Sequence, residues 1–271
     1  MRFDSNQAWK DAAQAVSANR DVLLALAGVF LVVPSFALVL LMPPPELADG
    51  TDPKAMFAML GQYYSKAWPA LLGMGLLSML GTLTMLALFT DRSRPTVGEA
   101  IKLGLGGMLT VIGAQLIVGL AAAVATTLVM GAGAASGAPV IGLVLGLLLA
   151  TGLIYTMIRI SLVSPVVMVE GQRNPVAALR RSWDLTGGNV LYLLAFYLLL
   201  LVAFVVVYLL LSGGIGMLVA LVTSGGVTAA INNLVAACLQ AVISVYFVAV
   251  SAACHRQLAG PSAAAMAGKF E

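Results

Sequence analysis

Six apolar runs, each long enough to cross a lipid bilayer, constrain this chain more than any other feature. They cover residues 22–42, 67–90, 106–130, 139–163, 190–212 and 228–253. A hydrocarbon core of about 30 Å needs about 20 mainly apolar residues in helical form. No water is present in lipid to satisfy backbone N–H and C=O groups, so such runs form helices that satisfy them internally. Composition agrees. The chain is 61% hydrophobic and 9% charged, against roughly 45–50% and roughly 25% in soluble domains. The expected fold class is all-α and polytopic, with six transmembrane helices. The fourth run carries on toward Val169 past Ser164-Pro165, a pair that bends or breaks a helix. The first run is too long for a signal-peptide core and lacks a small-x-small cleavage site, so it reads as a retained span.

The charges lie between the runs. Arg2, Lys10 and Arg20 precede the first. Arg92, Arg94 and Lys102 follow the second. Arg173, Arg180 and Arg181 follow the fourth, with Arg159 just inside it, and Arg256 and Lys269 follow the sixth. These are twelve of the fourteen Lys and Arg residues; the opposite connections hold only Lys54 and Lys66, with Glu46, Asp49 and Asp52. The positive-inside rule then predicts cytoplasmic N- and C-termini, as an even number of spans requires. The net charge of +3 is explained by this distribution, and no nucleic-acid partner is implied. Cys238 and Cys254, sixteen positions apart on one helix, are about 24 Å from each other. They are read as reduced packing residues that cannot bond to one another.

On the outer side, residues 131–138 and 213–227 are Gly-rich and read as flexible turns. The first outer connection is larger. Pro43-Pro44-Pro45 stops the first helix, Asp52-Pro53 opens another as N-cap and first position, and residues 54–66 read as a short interfacial helix ending near Trp68. The cytoplasmic connections share a plan. Residues 5–18, 95–103 and 174–185 each read as an amphipathic interfacial helix. Each contains Ala, a large apolar residue and a base: Ala8-Trp9-Lys10, Ala100-Ile101-Lys102 and Ala178-Leu179-Arg180. A hairpin of two spans follows each helix, so the single membrane domain 1–271 reads as three tandem units, 4–90, 91–170 and 171–256, with 257–271 as a short tail.

At residues 159–197 the stretch Arg-Ile-Ser-Leu-Val-Ser-Pro-Val-Val-Met-Val-Glu-Gly, then Asn-Pro-Val-Ala-Ala-Leu-Arg-Arg-Ser-Trp-Asp-Leu-Thr-Gly-Gly-Asn, resembles a family of bacterial six-helix membrane proteins. That family includes the membrane domain fused to some glycerophosphodiester phosphodiesterases. The resemblance implies a six-span fold in a bacterial inner membrane. It does not carry the enzymatic activity across, because the phosphodiesterase chemistry belongs to a separate soluble barrel rich in histidine and carboxylate ligands. This chain has one histidine, His255.

Three groups of residues carry chemistry. Arg159 lies at depth in an apolar stretch, where a charge marks a site by default; it alternatively snorkels to the interface or pairs with Glu170, Asp184 or Glu99. Arg180, Arg181 and Trp183 form a basic, aromatic helix face suited to an anionic lipid headgroup, or to positive-inside anchoring alone. Asn233, Gln240 and Ser244 share a face of the sixth span with Ala237 and Ser251, Asn232 lies beside it, and Gln115 is the main amide of the third. A polar stripe at such depth faces protein or a water-filled cavity, as a substrate path or as interhelical hydrogen bonds. Gly142-x-x-x-Gly146-x-x-x-Ala150 and Ser212-x-x-x-Gly216-x-x-x-Ala220 permit close helix contact within or between chains.

No metal-ligand cluster, catalytic triad or phosphate loop is legible in the sequence, so neither cofactor nor metal is expected. The reading is a non-enzymatic membrane protein that binds a lipid or amphiphile or moves it between leaflets. The alternative is a structural, accessory or protective subunit that binds another membrane component. Membrane lipid is the expected partner, beside a homo-oligomer or a second membrane protein.

Overall fold

The computed structural model describes residues 3–43, 45, 52–90 and 95–260. Arg2, Arg92, Arg94, Lys269, Glu46, Asp49 and Pro44 lie outside them. Six helical stretches are long and apolar enough to cross a membrane, starting at Arg20, Pro53, Val97, Pro139, Val190 and Gly226. The architecture is that of an all-helical, multi-pass membrane protein.

Local chemistry sets where the helices begin. Asp4 accepts from the backbone N–H groups of Asn6 and Gln7 to open α1 (Ser5–Ala18). Thr96 and Glu99 form a reciprocal capping box at the start of α5 (Val97–Ala135). Asn174 caps α8 (Pro175–Thr186) with Pro175 at its first position. Each such cap contributes about 1 kcal/mol by satisfying N–H groups that have no intrahelical partner. Asp52-Pro53 begins α4 (Pro53–Thr90) as expected, with the Met56 N–H on the Asp52 carbonyl at 2.9 Å.

The first span is not a uniform helix. It is built from α2 (Arg20–Ala27), a π-helical turn (Gly28–Val32) and α3 (Val33–Leu41). Pro34 is the physical reason: it has no N–H for the Phe30 carbonyl, and its ring crowds that carbonyl. The backbone widens by one residue, so that the Val33 N–H reaches Gly28 O. The Phe30 carbonyl then faces the Ser78 hydroxyl of α4 in a long contact of 3.5 Å.

Four helices overrun the apolar windows. α4, α5, α9 (Val190–Val222) and α10 (Gly226–Ala259) have 38, 39, 33 and 34 residues, about 50–58 Å at 1.5 Å per residue. The outer helix expected at 54–66 is therefore the first third of α4, which continues through Pro69 without a break. Residues 95–103, expected as a separate interfacial helix, hold the Thr96 cap and the opening turns of α5. The Gly-rich turns are shorter than expected, because α5 reaches Ala135 and α9 reaches Val222. The reason is common to all four: hydropathy registers the thickness of lipid, whereas a helix ends only where a cap or a positive-φ residue stops it. Gly137 and Gly225 have φ of 62° and 64° and supply those turns.

Small residues allow the helices to approach, as they must where lipid removes the hydrophobic drive for association. Gly107 of α5 faces Val167 and Met168 of α7 (Val163–Val169), Gly113 faces Pro175, and Gly133 meets Gly142 of α6 (Pro139–Ile160). Gly216 receives Asn232 of α10. The two small-residue stripes of the sequence are thus used, at Gly142 and Gly216, for contacts inside the chain.

One end of the bundle holds the short helices. The Phe3 N–H donates to Asn189 Oδ1 at 3.0 Å, and Asp4 and Gln257 exchange two hydrogen bonds. These bonds bring the beginning of the described chain, the start of α9 and the end of α10 together. α1 lies along α10, where Trp9 stacks on Tyr246 at 5.6 Å.

Candidate functional site

The residues expected to carry chemistry divide into two places. The first is the break between α6 and α7. The helix stops at Ile160 and restarts at Val163, two residues ahead of Pro165, which leaves the Arg159 carbonyl and the Leu162 N–H without helical partners. α8 satisfies both. The Ser182 hydroxyl donates to Arg159 O at 2.8 Å and accepts from Leu162 N at 3.3 Å, and the Thr186 hydroxyl reaches the same carbonyl at 3.3 Å. Ser182 and Thr186 are fully buried. Neither was singled out from the sequence, although their spacing of four beside the small Ala178 marks them as the inward face of α8.

This docking fixes which charges meet. Arg181 donates through Nε to both oxygens of Glu170, at 3.1 and 2.9 Å. His255 Nε2 lies 3.0 Å from Glu170 Oε1. A carboxylate accepts only, so Nε2 carries the hydrogen. Glu170 therefore joins α7 to both α8 and α10.

Arg159 is left without an acid. The expected pairing with Glu170, Asp184 or Glu99 does not occur: among the described residues its guanidinium forms no ion pair. Glu170 is occupied, and Glu99 caps its own helix. The guanidinium instead lies 4.4 Å from the centroid of Trp183 and 5.7 Å from that of Tyr155, two rings that meet edge to face. Arg159 is only 9% exposed, and its Nε has no hydrogen-bond partner. It occupies the last turn of α6, where the helix dipole favours a cation by about 0.3–1 kcal/mol. The ring contacts add about 0.5–2 kcal/mol. Neither replaces an anion, since an arginine does not lose its charge in a protein. The expected face of Arg180, Arg181 and Trp183 is thus divided three ways: Arg181 turns to Glu170, Trp183 lies against Arg159, and Arg180 stays exposed, as does Asp184.

The second place is a groove of about 500 Å³ between α4, α9 and α10, lined by Thr82, Phe204, Tyr208, Gln240, Ser244 and Phe247 among others. Gln240 lies near the middle of α10. The hydroxyls of Thr82 and Ser244 bond back to their own helices, at 2.8 and 2.9 Å, which leaves the Gln240 carboxamide and the Tyr208 hydroxyl as the lining groups with unused donors. Gln115 lines a separate groove of about 590 Å³ between α4 and α5, with Ser78, Thr82 and Ser164. Among the described residues Gln115, Asn232, Asn233 and Gln240 make no side-chain hydrogen bond, so the interhelical bonds expected of this polar stripe are not formed. Gln115 and Gln240 are exposed, whereas Asn232 packs against Gly216 with its Oδ1 buried and unpartnered.

Comparison with protein-family models, curated proteins and solved structures finds no match.

Proposed function

We propose that this chain is a non-enzymatic protein of a bacterial inner membrane that takes up a lipid or other amphiphile from the bilayer, holding it laterally or passing it between leaflets. The observation that carries the reading is the α4–α9–α10 groove: largely apolar walls with the unsatisfied Gln240 amide near the middle of α10. An amide left bare in hydrocarbon costs free energy, and an amphiphile offering an acceptor beside its chain removes that cost. Both termini lie in the cytoplasm in this proposal. α1, the opening of α5 and α8 rest at the cytoplasmic interface as three related elements of a tandem repeat. Supporting this topology are the positive-inside distribution and the joining of the chain's beginning to the end of α10. The resemblance to the phosphodiesterase-linked membrane domain supports the fold alone.

Native mass spectrometry of the gently released protein tests the reading. A bound amphiphile is expected, and Gln240→Leu is expected to weaken its retention about fivefold, the equivalent of one net hydrogen bond of about 1 kcal/mol. A lipid-free wild type carrying a second membrane protein would replace the lipid reading with the accessory-subunit one. The peripheral position of the fourth span, whose most apolar window is 6% buried, gives such a partner a place to dock.

Topology has its own measurement. With Cys238 and Cys254 replaced, a cysteine at Ser136 should react with a membrane-impermeant maleimide in intact spheroplasts. One at Gln172 should react only after permeabilisation. The reverse pattern would invert the protein in the membrane.

A further inference from the structure

The buried guanidinium at the α6–α7 break points to a more specific ligand. Three observations meet there. Arg159 is nine-tenths buried with Nε unpartnered, and every described carboxylate is bound elsewhere or out of ion-pairing reach. Its Nη1 lies 3.4 Å from the point where a side chain on Gly187 would begin, with the Asp184 and Trp183 carbonyl oxygens at 3.1 and 3.9 Å from the same point, so backbone borders the charged fork. Two residues further on Asn189 stands at the N-cap position of α9 without a side-chain cap bond, its Oδ1 accepting from Phe3. The first N–H groups of a helix have no carbonyl partners within it and favour an anion. Gly187 and Gly188 are exposed, and Trp183 and Tyr155 lie within cation–π range of the guanidinium.

We propose that Arg159, seated on Trp183 beside Gly187, is an anion site that takes a phosphate group. An arginine fork matches two phosphate oxygens at once. The phosphate belongs either to the headgroup of an anionic phospholipid or to free phosphate. The site deepens the amphiphile reading by naming a headgroup chemistry, and it rests on that reading only for the lipid source.

The test uses the full chain in nanodiscs of phosphatidylcholine, with phosphatidylglycerol titrated in, and in detergent with inorganic phosphate. The expected result is one phosphatidylglycerol retained per chain, weakened about tenfold or more in Arg159→Gln, a loss typical of charge-assisted hydrogen bonds. Lys102→Gln, which alters an exposed cation of α5, should change it less than about twofold, as exposed charges contribute little. Gly187→Val keeps the guanidinium and fills the space beside it. It should also weaken binding, and it decides the matter if Arg159→Gln fails to fold. Phosphate that raises the thermal midpoint of the wild type but not of Gly187→Val, with no lipid retained, assigns the site to free phosphate. Equal retention of phosphatidylglycerol by all variants, or binding of neither ligand to the wild type, overturns the anion site. Retention of a neutral amphiphile that Gln240→Leu weakens would leave the wider reading intact in that case.

Discussion

Gly81→Ala is expected to loosen the contact between the first and second spans and to lower stability by about 1–3 kcal/mol, with Gly81→Val costing more. A Cβ at Gly81 would sit 2.4 Å from the Phe30 Cβ and 3.0 Å from its Cγ. Both atoms are fixed close to backbone, so neither can swing aside as the end of a long side chain would. Phe30 is held there by the π-helical turn that Pro34 imposes, and the clash cannot be relieved by rewinding the helix. Gly73 in the same helix is the control. Nothing lies within 4 Å of its Cβ position, and Gly73→Ala should be neutral or stabilising, because glycine is the poorer helix former by about 1 kcal/mol. Unfolding in mixed micelles under a denaturing detergent measures both. Equal effects at positions 73 and 81 would mean that the Phe30 contact does not limit packing.

Glu170→Ala is expected to cost about 1–3 kcal/mol, the penalty for leaving a buried donor unsatisfied. The donor is His255 Nε2, on a residue only 2% exposed. The Arg181 half of the interaction lies nearer the surface, with side chains 44% and 28% exposed, and should contribute only about 0–1 kcal/mol. Glu170→Gln separates the two contributions. It keeps a carbonyl oxygen for the imidazole N–H and loses the charge that Arg181 meets, so it should retain most of the stability. The same unfolding measurement, with protease sensitivity at the α7–α8 connection as a second readout, distinguishes them. Glutamine behaving like alanine would shift the weight from the histidine bond to the ion pair.

Both predictions depend on contacts that reading along the chain does not reveal. Pro34 stands in the first span as a visible signal, yet the partner of the carbonyl it frees, Ser78, is forty-eight positions from Phe30. Ser182 and Thr186 are unremarkable in an amphipathic helix until the break after Ile160 presents them with a bare carbonyl and N–H. Arg159, Glu170, Arg181 and His255 were all available to pair in several ways. Coulomb attraction alone favours joining every cation to the nearest acid, and sequence separation does not say which acid is near.

What the sequence by itself determined is the solvent and the path. Six apolar runs can be stable only as helices in lipid, since no other single-segment structure satisfies its own backbone there. The Asp52-Pro53 helix start was legible for a local reason, as the donor and acceptor of a cap lie within three or four residues; Asp4 and Thr96, each one residue from the helix start or Pro expected there, cap in the same way. Tertiary structure alone decided which polar groups are satisfied. Docking α8 into the α6–α7 break spends Glu170 on Arg181 and His255 and leaves Arg159 on an aromatic ring. The packing of α4, α9 and α10 leaves Gln240 facing a groove and not another amide. Helix ends fell between the two, because hydropathy follows the lipid thickness while the backbone stays helical until a positive-φ glycine or a cap ends it.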